Sequence, residues 1–348
     1  MGGGGRTERG VAVQKIIIDC DPGIDDALAL VFAHGHPGLS LCGITTVAGN
    51  VGLDKTTDNA LQVRDYVGMP QVPVVRGCAA PLSRPVLHAR RVHGNSGLGA
   101  ASLPAASAGP ADGHAVDYLA ETIGAQPGEI TLIATGPLTN IALAVRRHPS
   151  LVSQVRDFVI MGGSAGRGNV TPAAEFNIAA DPEAAAIVFG AGWTVTMVGL
   201  DVTLQARATA EVRDRMRGLG RLADDLLLPS LSGYRATSRG PGSEPTDAPA
   251  VHDVCAVVKA AAPDLITCLP ARVEVETAGR WTAGMTVTDF AAPADACNAQ
   301  VAVTIDTAGF WDLVIEAYGR VAAGMGPDGM GPAGMGTPGV TPPLTTPL

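Results

Sequence analysis

A chain of 348 residues can fold as one large α/β domain or two ordinary ones, and 46% hydrophobic against 4% aromatic residues predicts a core of small aliphatics with few stacking surfaces. A formal net charge of -9 argues against a nucleic-acid backbone as partner, because phosphate binding needs clustered Lys and Arg; a small molecule is expected instead. Met1–Gln14, Gly-rich and charged, predicts a disordered lead segment over 1–14 with no export signal. From Lys15 the apolar run Ile16-Ile17-Ile18 predicts a strand over Ile16–Asp19, then a helix over Asp26–His36, a strand over Leu39–Thr46, a helix over Leu53–Val67 and a strand over Val72–Val75. The same rhythm gives a helix over His114–Ala125, a strand over Ile130–Ala134, a helix over Leu138–His148 opened by Pro137, and a strand over Phe158–Met161. Helix and strand follow again over Pro182–Phe189 and Thr194–Val198. Pro229–Pro249, rich in Ser, Gly, Pro and charge, reads as a long mobile loop, and Val251–Ala262 as a helix. Arg272–Glu276, Met285–Thr288 and Val301–Ile305 read as later, antiparallel strands before a closing helix over Phe310–Val321.

Alternating βα units predict an α/β fold: a mainly parallel open sheet flanked by helices, Rossmann-like, in a single domain over 15–322 with a few antiparallel strands. The Gly-Met-Gly-Pro repeats beyond Gly324 cannot bury a core and predict a disordered tail over 323–348. Six dispersed cysteines show no metal-ligand spacing and read as reduced thiols, and no stretch is long enough to span a membrane, so a cytoplasmic protein is expected.

The densest chemistry lies in Asp19-Cys20-Asp21-Pro22-Gly23-Ile24-Asp25-Asp26, directly after the first strand. Carboxylates crowded at a buried strand end repel one another and resist desolvation, so they stay ionised only beside a cation or many donors. No Lys or Arg lies between Lys15 and Lys55, which makes a metal the economical local explanation. Either Asp25 or Asp26 alone could be an ordinary acid in a helix's first turn, but capping explains one acid and not a cluster. Oxygen ligands without His or Cys favour Ca2+ or Mg2+ over zinc, and Ca2+ tolerates irregular geometry best.

In a parallel sheet, ligands bind outside the carboxyl ends of the strands. The residues following the predicted strands agree: Asp21, Asp25 and Asp26; Thr45, Thr46 and Asn50; Thr135, Gly136 and Asn140; Met161, Gly162, Gly163 and Asn169. Farther along, Glu175-Phe176-Asn177 offers carboxylate and amide groups beside a ring, suited to the hydroxyls of a sugar, with loop capping as the plainer alternative. In Val251-His252-Asp253, Asp253 could complete a metal site and His252 could titrate near neutral pH, although on these residues alone a surface His-Asp pair is the favoured reading.

Asp19-Cys20-Asp21-Pro22-Gly23-Ile24-Asp25-Asp26-Ala27-Leu28-Ala29 resembles the signature of the inosine-uridine preferring nucleoside hydrolases. Thr45–Asn50, His93-Gly94-Asn95-Ser96-Gly97, Thr135–Asn140, Met161-Gly162-Gly163, Glu175-Phe176-Asn177 with Asp181–Ala185, and Val251-His252-Asp253 recur in that family in this order, so the resemblance covers about Lys15–Val321. The resemblance implies Ca2+ held by Asp21, Asp26, the Thr135 carbonyl and Asp253. It implies ribose 2′ and 3′ hydroxyls on Asp25, Asn177 and Asp253, and the 5′ hydroxyl on Asn169 and Glu175. Asn50, Met161 and Phe176 would complete the ribose pocket, with His93 on a flexible loop near the base. Asp21 would act as general base and His252 as general acid in hydrolysing the N-glycosidic bond of a ribonucleoside.

Family members often stack the base on rings from the loop before the His-Asp pair, where this chain offers only Tyr234. With His252 in place, broad or pyrimidine-leaning specificity is expected. The resemblance also implies a homo-oligomer, dimer or tetramer. The competing reading is a calcium-stabilised ribose- or nucleoside-binding protein without turnover.

Overall fold

The isoleucine run of the first strand is apolar at every position because both of its faces are covered. Ile16 and Ile18 join one buried cluster and Ile17 the other, the arrangement of a parallel strand sandwiched between helical layers. The computed structural model describes residues 13–233 and 248–325. Its strands are β1 (Gln14–Cys20), β2 (Leu39–Thr46), β3 (Val74–Arg76), β4 (Ile130–Ala134), β5 (Asp157–Met161), β6 (Val195–Val198), β7 (Ile266–Val275), β8 (Thr286–Asp289) and β9 (Ala299–Ile305). They form a nine-stranded sheet in the order β3-β2-β1-β4-β5-β6-β9-β7-β8.

Pairing is parallel from β3 through β9, and antiparallel where β7 meets β9 and β8. The predicted open, mainly parallel sheet with a few antiparallel strands is therefore the observed fold. Chain order reverses at β1, which has β2 on one side and β4 on the other. Asp19 pairs with both Thr45 and Ala134, so the chain leaves β1, β2 and β4 at one level and opens a crevice there.

Helix Ile24–Gly35 is buried almost throughout and packs beneath this crevice. Its far face meets the closing helix Thr307–Met325, where Tyr318 donates its hydroxyl to the Leu28 carbonyl at 3.1 Å. Gly35 lets the two helices close up, since a Cβ there would run into the Ala317 carbonyl oxygen. Gly35→Ala gains about 1 kcal/mol of helix propensity. Overpacking against an immovable backbone costs roughly 1–3 kcal/mol. A lower midpoint in urea unfolding is the expected result, and an unchanged or raised midpoint would refute this packing.

Several expectations need correction at the margins. β1 begins at Gln14, inside the predicted lead segment, and the closing helix runs to Met325, past the predicted domain end. The segment read as a loop from Pro229 starts as helix Leu228–Gly233, which continues directly from the π-helical turn Leu222–Leu227, so Pro229 sits just past that wider turn. Helices Ala210–Arg217 and Leu222–Leu227 had no expectation attached. β7 begins at Ile266 rather than Arg272. Tyr234 and most of the tail over 323–348 lie outside the described residues.

Candidate active site

The crevice at the switch between β1 and β4 is floored by acids. Asp21, Asp25, Asp26 and Asp253 are each at most 5% exposed, and carboxylate oxygens of Asp25, Asp26 and Asp253 lie within 4.8 Å of one another. Asp26 is tied down by four donors. Its Oδ1 accepts from the Asp21 N–H (3.3 Å) and Thr135 Oγ1 (2.9 Å), and its Oδ2 from the Gly23 N–H (2.9 Å) and Asn50 Nδ2 (3.1 Å). It is thus a first-turn acid and a member of the cluster at once.

Asp21 is held from one side only. Its Oδ2 accepts the Asn50 N–H at 2.6 Å, whereas its Oδ1 is buried with no hydrogen-bond partner. The chain crowds close to it: a Cβ at Gly49 would strike its carboxylate, and one at Gly136 would lie 2.7 Å from Oδ1. A buried acceptor left without a donor costs about 1–3 kcal/mol unless something occupies it.

The electrostatics point the same way. Burial, then the charge of Asp26, pushes the Asp21 carboxyl well above its ordinary range. Burial pushes Asp25 up to about 7, with the charge of Asp26 adding to it. Burial followed by the charges of Asp25, Asp26 and Asp21 raises Asp253 strongly. Such a group is proton-hungry in isolation and becomes a strong ligand set for a hard cation. The all-oxygen donors, the orphaned Asp21 Oδ1 and the mutual repulsion all fit a Ca2+-sized ion.

Neighbouring residues complete a sugar-sized enclosure. Asn177 donates Nδ2 to the carbonyls of Thr135 (2.7 Å) and Met161 (3.0 Å), tying the ends of β4 and β5 together. Glu175 caps helix Phe176–Ala180, accepting from the N–H groups of Asn177 (2.9 Å) and Ile178 (3.2 Å) and from that of Gly163 (2.9 Å). Burial pushes its carboxyl up to about 7. The capping alternative is therefore real, yet Glu175 also lines the cavity. Asn169, exposed, accepts the Phe176 N–H at 2.9 Å. One cavity of about 630 Å³ is lined by Asp25, Asn50, His93, Thr135, Met161, Asn169, Glu175, Phe176, Asn177, His252 and Asp253. Asp21 and Asp26 lie beneath that floor, joined to it through Asn50.

Three histidines line the cavity, and two of them, His93 and His252, are among the sequence-predicted residues. The His93 ring accepts the Ile24 N–H on Nδ1 at 3.0 Å, which leaves the proton of its neutral form on Nε2. Burial pushes its pKa down to about 3. His252 pairs Nδ1 with Thr203 Oγ1 at 2.7 Å. Burial, then the charge of Arg207, lowers it to about 4. The expectation that His252 titrates near neutral pH is thus corrected: it is buried, not on the surface, and neutral in the unliganded chain.

Sequence reasoning missed four polar residues of the cavity, His88, Arg90, Arg91 and Arg207. The first three sit directly before His93, a basic run that could have been noticed. Arg207 carried no signal, because it reaches the cavity through a backbone bridge to Ala250, across a long separation. Asn140 and Asp19 form a supporting link: Asn140 Nδ2 donates to Asp19 Oδ1 (2.8 Å) and the Thr46 carbonyl (3.0 Å) while its Oδ1 accepts the Cys78 N–H (2.8 Å).

The sequence profile of the inosine-uridine preferring nucleoside hydrolases matches residues 16–312. The chain is 46% identical to the inosine-uridine preferring nucleoside hydrolase of Leishmania major over 311 residues, 88% of this chain and 98% of that protein. It is 43% identical to a pyrimidine-specific ribonucleoside hydrolase of Shewanella woodyi, again over 88% of this chain and 99% of the relative. The solved purine-preferring ribonucleoside hydrolase from Gardnerella vaginalis superposes with a TM-score of 0.82 at 33% identity, covering 89% of this chain and 99% of that one. Fold, crevice and comparisons converge on one assignment: the chain belongs to the inosine-uridine preferring nucleoside hydrolase family, whose members are enzymes.

Proposed function

We propose that this chain hydrolyses the N-glycosidic bond of ribonucleosides to ribose and free base, using Ca2+ held by Asp21, Asp26, the Thr135 carbonyl and Asp253. The observation that carries the reading is the buried carboxylate cluster at the switch point, with one Asp21 oxygen unpartnered. The chemistry a bound Ca2+ supplies there is electrostatic polarisation of water and of ribose hydroxyls.

The protein's own groups do the rest. Asp21 Oδ1 takes a proton from the attacking water as the glycosidic bond opens. The carboxylates beneath the sugar stabilise the positive charge that develops on the ribosyl ring in an oxocarbenium-like transition state. Asp25, Asn177 and Asp253 hold the 2′ and 3′ hydroxyls, Asn169 and Glu175 the 5′ hydroxyl, and Asn50, Met161 and Phe176 shape the pocket. His93 lies beside the base, and a donor proton on His252 reaches the departing base nitrogen. The catalytic domain runs from β1 through the closing helix, Gln14–Met325, and the chain assembles as a dimer or tetramer in the cytoplasm. No helix among the described residues is long and apolar enough to cross a membrane.

Specificity is broad or pyrimidine-leaning. Phe176 is the one Phe, Tyr or Trp among the described cavity residues, so purine stacking has little support from the described walls. Free-base release from inosine, uridine, cytidine and adenosine, with Ca2+ and after chelation, tests the proposal. Release that chelation abolishes and Ca2+ restores is expected, accompanied by a Ca2+-dependent rise in melting temperature, since a ligand at 100 times its Kd stabilises by about 2.7 kcal/mol. Ribose binding without release from any nucleoside would favour a binding protein instead, and chelator-insensitive release would remove Ca2+ from the account.

A further inference from the structure

Asn59 lies in the interior of helix Leu53–Tyr66 and is buried. An amide there is a poor helix former and loses its hydration, so it is tolerated only where its polar atoms find partners. Asn59 Nδ2 donates to two carbonyls, that of Pro22 at 2.9 Å and that of Ser96 at 3.0 Å. Pro22 follows Asp21 in the acidic turn, and Ser96 belongs to the segment that carries His93 into the cavity. One side chain on a third element therefore joins the carboxylate floor to the wall where His93 stands.

The turn and the His93 segment also touch directly. His93 accepts the Ile24 N–H on Nδ1, and its ring lies so close to Gly23 that a Cβ there would strike the imidazole. Gly97 passes flush against the amide of Asn59: a Cβ would lie 2.6 Å from its Nδ2 and 3.3 Å from the Pro22 carbonyl oxygen. Its φ of +98° already favours glycine at that point.

The two sides of this junction are held unequally. The acidic turn has bonds of its own, since Asp26 accepts the N–H groups of Asp21 and Gly23 and Asn50 donates Nδ2 to the Asp21 carbonyl at 3.1 Å. On the other side Asn95 and Ser96 are exposed, and the Asn95 carbonyl takes its bond from the exposed Lys55 ammonium, which solvent can replace. Loss of the Asn59 amide would leave the turn in place and release the wall.

We propose that Asn59 is a positioning residue that clips the His93 segment to the acidic turn and so fixes the wall against which the base is bound. The proposal rests on the hydrolase reading and adds a residue that acts through His93 without lining the cavity.

The test measures base release from inosine and uridine with Ca2+ present for the wild-type enzyme, Asn59→Leu, Gly97→Ala, His93→Ala and the double variant Asn59→Leu/His93→Ala. Hydrogen exchange is followed in the same proteins without nucleoside. Asn59→Leu keeps the size of the side chain and removes both bonds, and Gly97→Ala pushes on the junction from the other side. Each is expected to raise KM by about tenfold with kcat near that of the wild type, because contacts to the base act on ground and transition states alike. In the His93→Ala background Asn59→Leu changes KM little, since the group it positions is already gone. The N–H groups of Val92, His93 and Gly94, bonded in the wild type to the carbonyls of Ala89 and Arg90, exchange faster in both single variants, while those of β4 and β5 do not. A fall in kcat at unchanged KM, a full KM effect in the His93→Ala background, unchanged exchange at Val92–Gly94 or faster exchange throughout the sheet would each overturn the clip. If the wild-type enzyme released no base, the hydrolase reading would fall, and the exchange comparison would still decide whether Asn59 holds the segment.

Discussion

Asp21→Asn is expected to lower kcat/KM for every nucleoside by roughly 10²–10⁴-fold, the usual worth of a positioned general base. The substitution keeps shape: an amide oxygen can still accept the Asn50 N–H that now meets Oδ2. What it removes is the charge and basicity at the unpartnered Oδ1. The same change should leave the metal-free protein as stable or more so, because it takes one charge out of a buried, mutually repelling group. It should shrink the thermal shift produced by Ca2+. Activity within a few fold of wild type would refute the role assigned to Asp21. A lower metal-free melting temperature would show that its charge is compensated by something other than a cation.

His252→Ala should divide the substrates. A purine base leaves most readily when a proton reaches its basic ring nitrogen, and the uracil of uridine has no comparably basic ring nitrogen. The kcat for inosine is therefore expected to fall by about 10²-fold or more, with a smaller loss for uridine. The structural basis is the Thr203 contact at Nδ1, which orients an imidazole that lines the cavity. Equal losses on both substrates would make His252 a positioning residue, acting through the adjacent Asp253.

The parts of this protein most legible in sequence were those whose cause is local. β2, β4 and helix Pro182–Phe189 begin and end where residue pattern and a leading Pro place them. The acidic run was legible because its chemistry is contiguous, and the rim residues because strand ends in a parallel sheet share one side. What stayed hidden depended on remote partners. β7 was expected only from Arg272, yet it begins at Ile266 and holds Pro270, where β8, pairing only with Arg272–Val275, leaves an unpaired edge. His252 read as a surface residue because nothing nearby in sequence reveals that Thr203 and Arg207 enclose it. Arg207's place at the cavity was hidden for the same reason: its segment meets the cavity through the bridge to Ala250.

The contact between the first and last helices sets the order in which the enzyme can come into being. Tyr318 and Leu28 are separated by 290 residues, and the helix bearing Asp25 and Asp26 rests its far face on Thr307–Met325. On the ribosome, the acidic motif is synthesised well before the helix that covers its support. Until then the apolar side of the first helix has no permanent partner, and a chain terminated before Thr307 would present it to chaperones and proteases. The carboxylate cluster therefore gains its final backing only after Thr307–Met325 has been made, which ties assembly of the catalytic centre to an element far downstream in the chain.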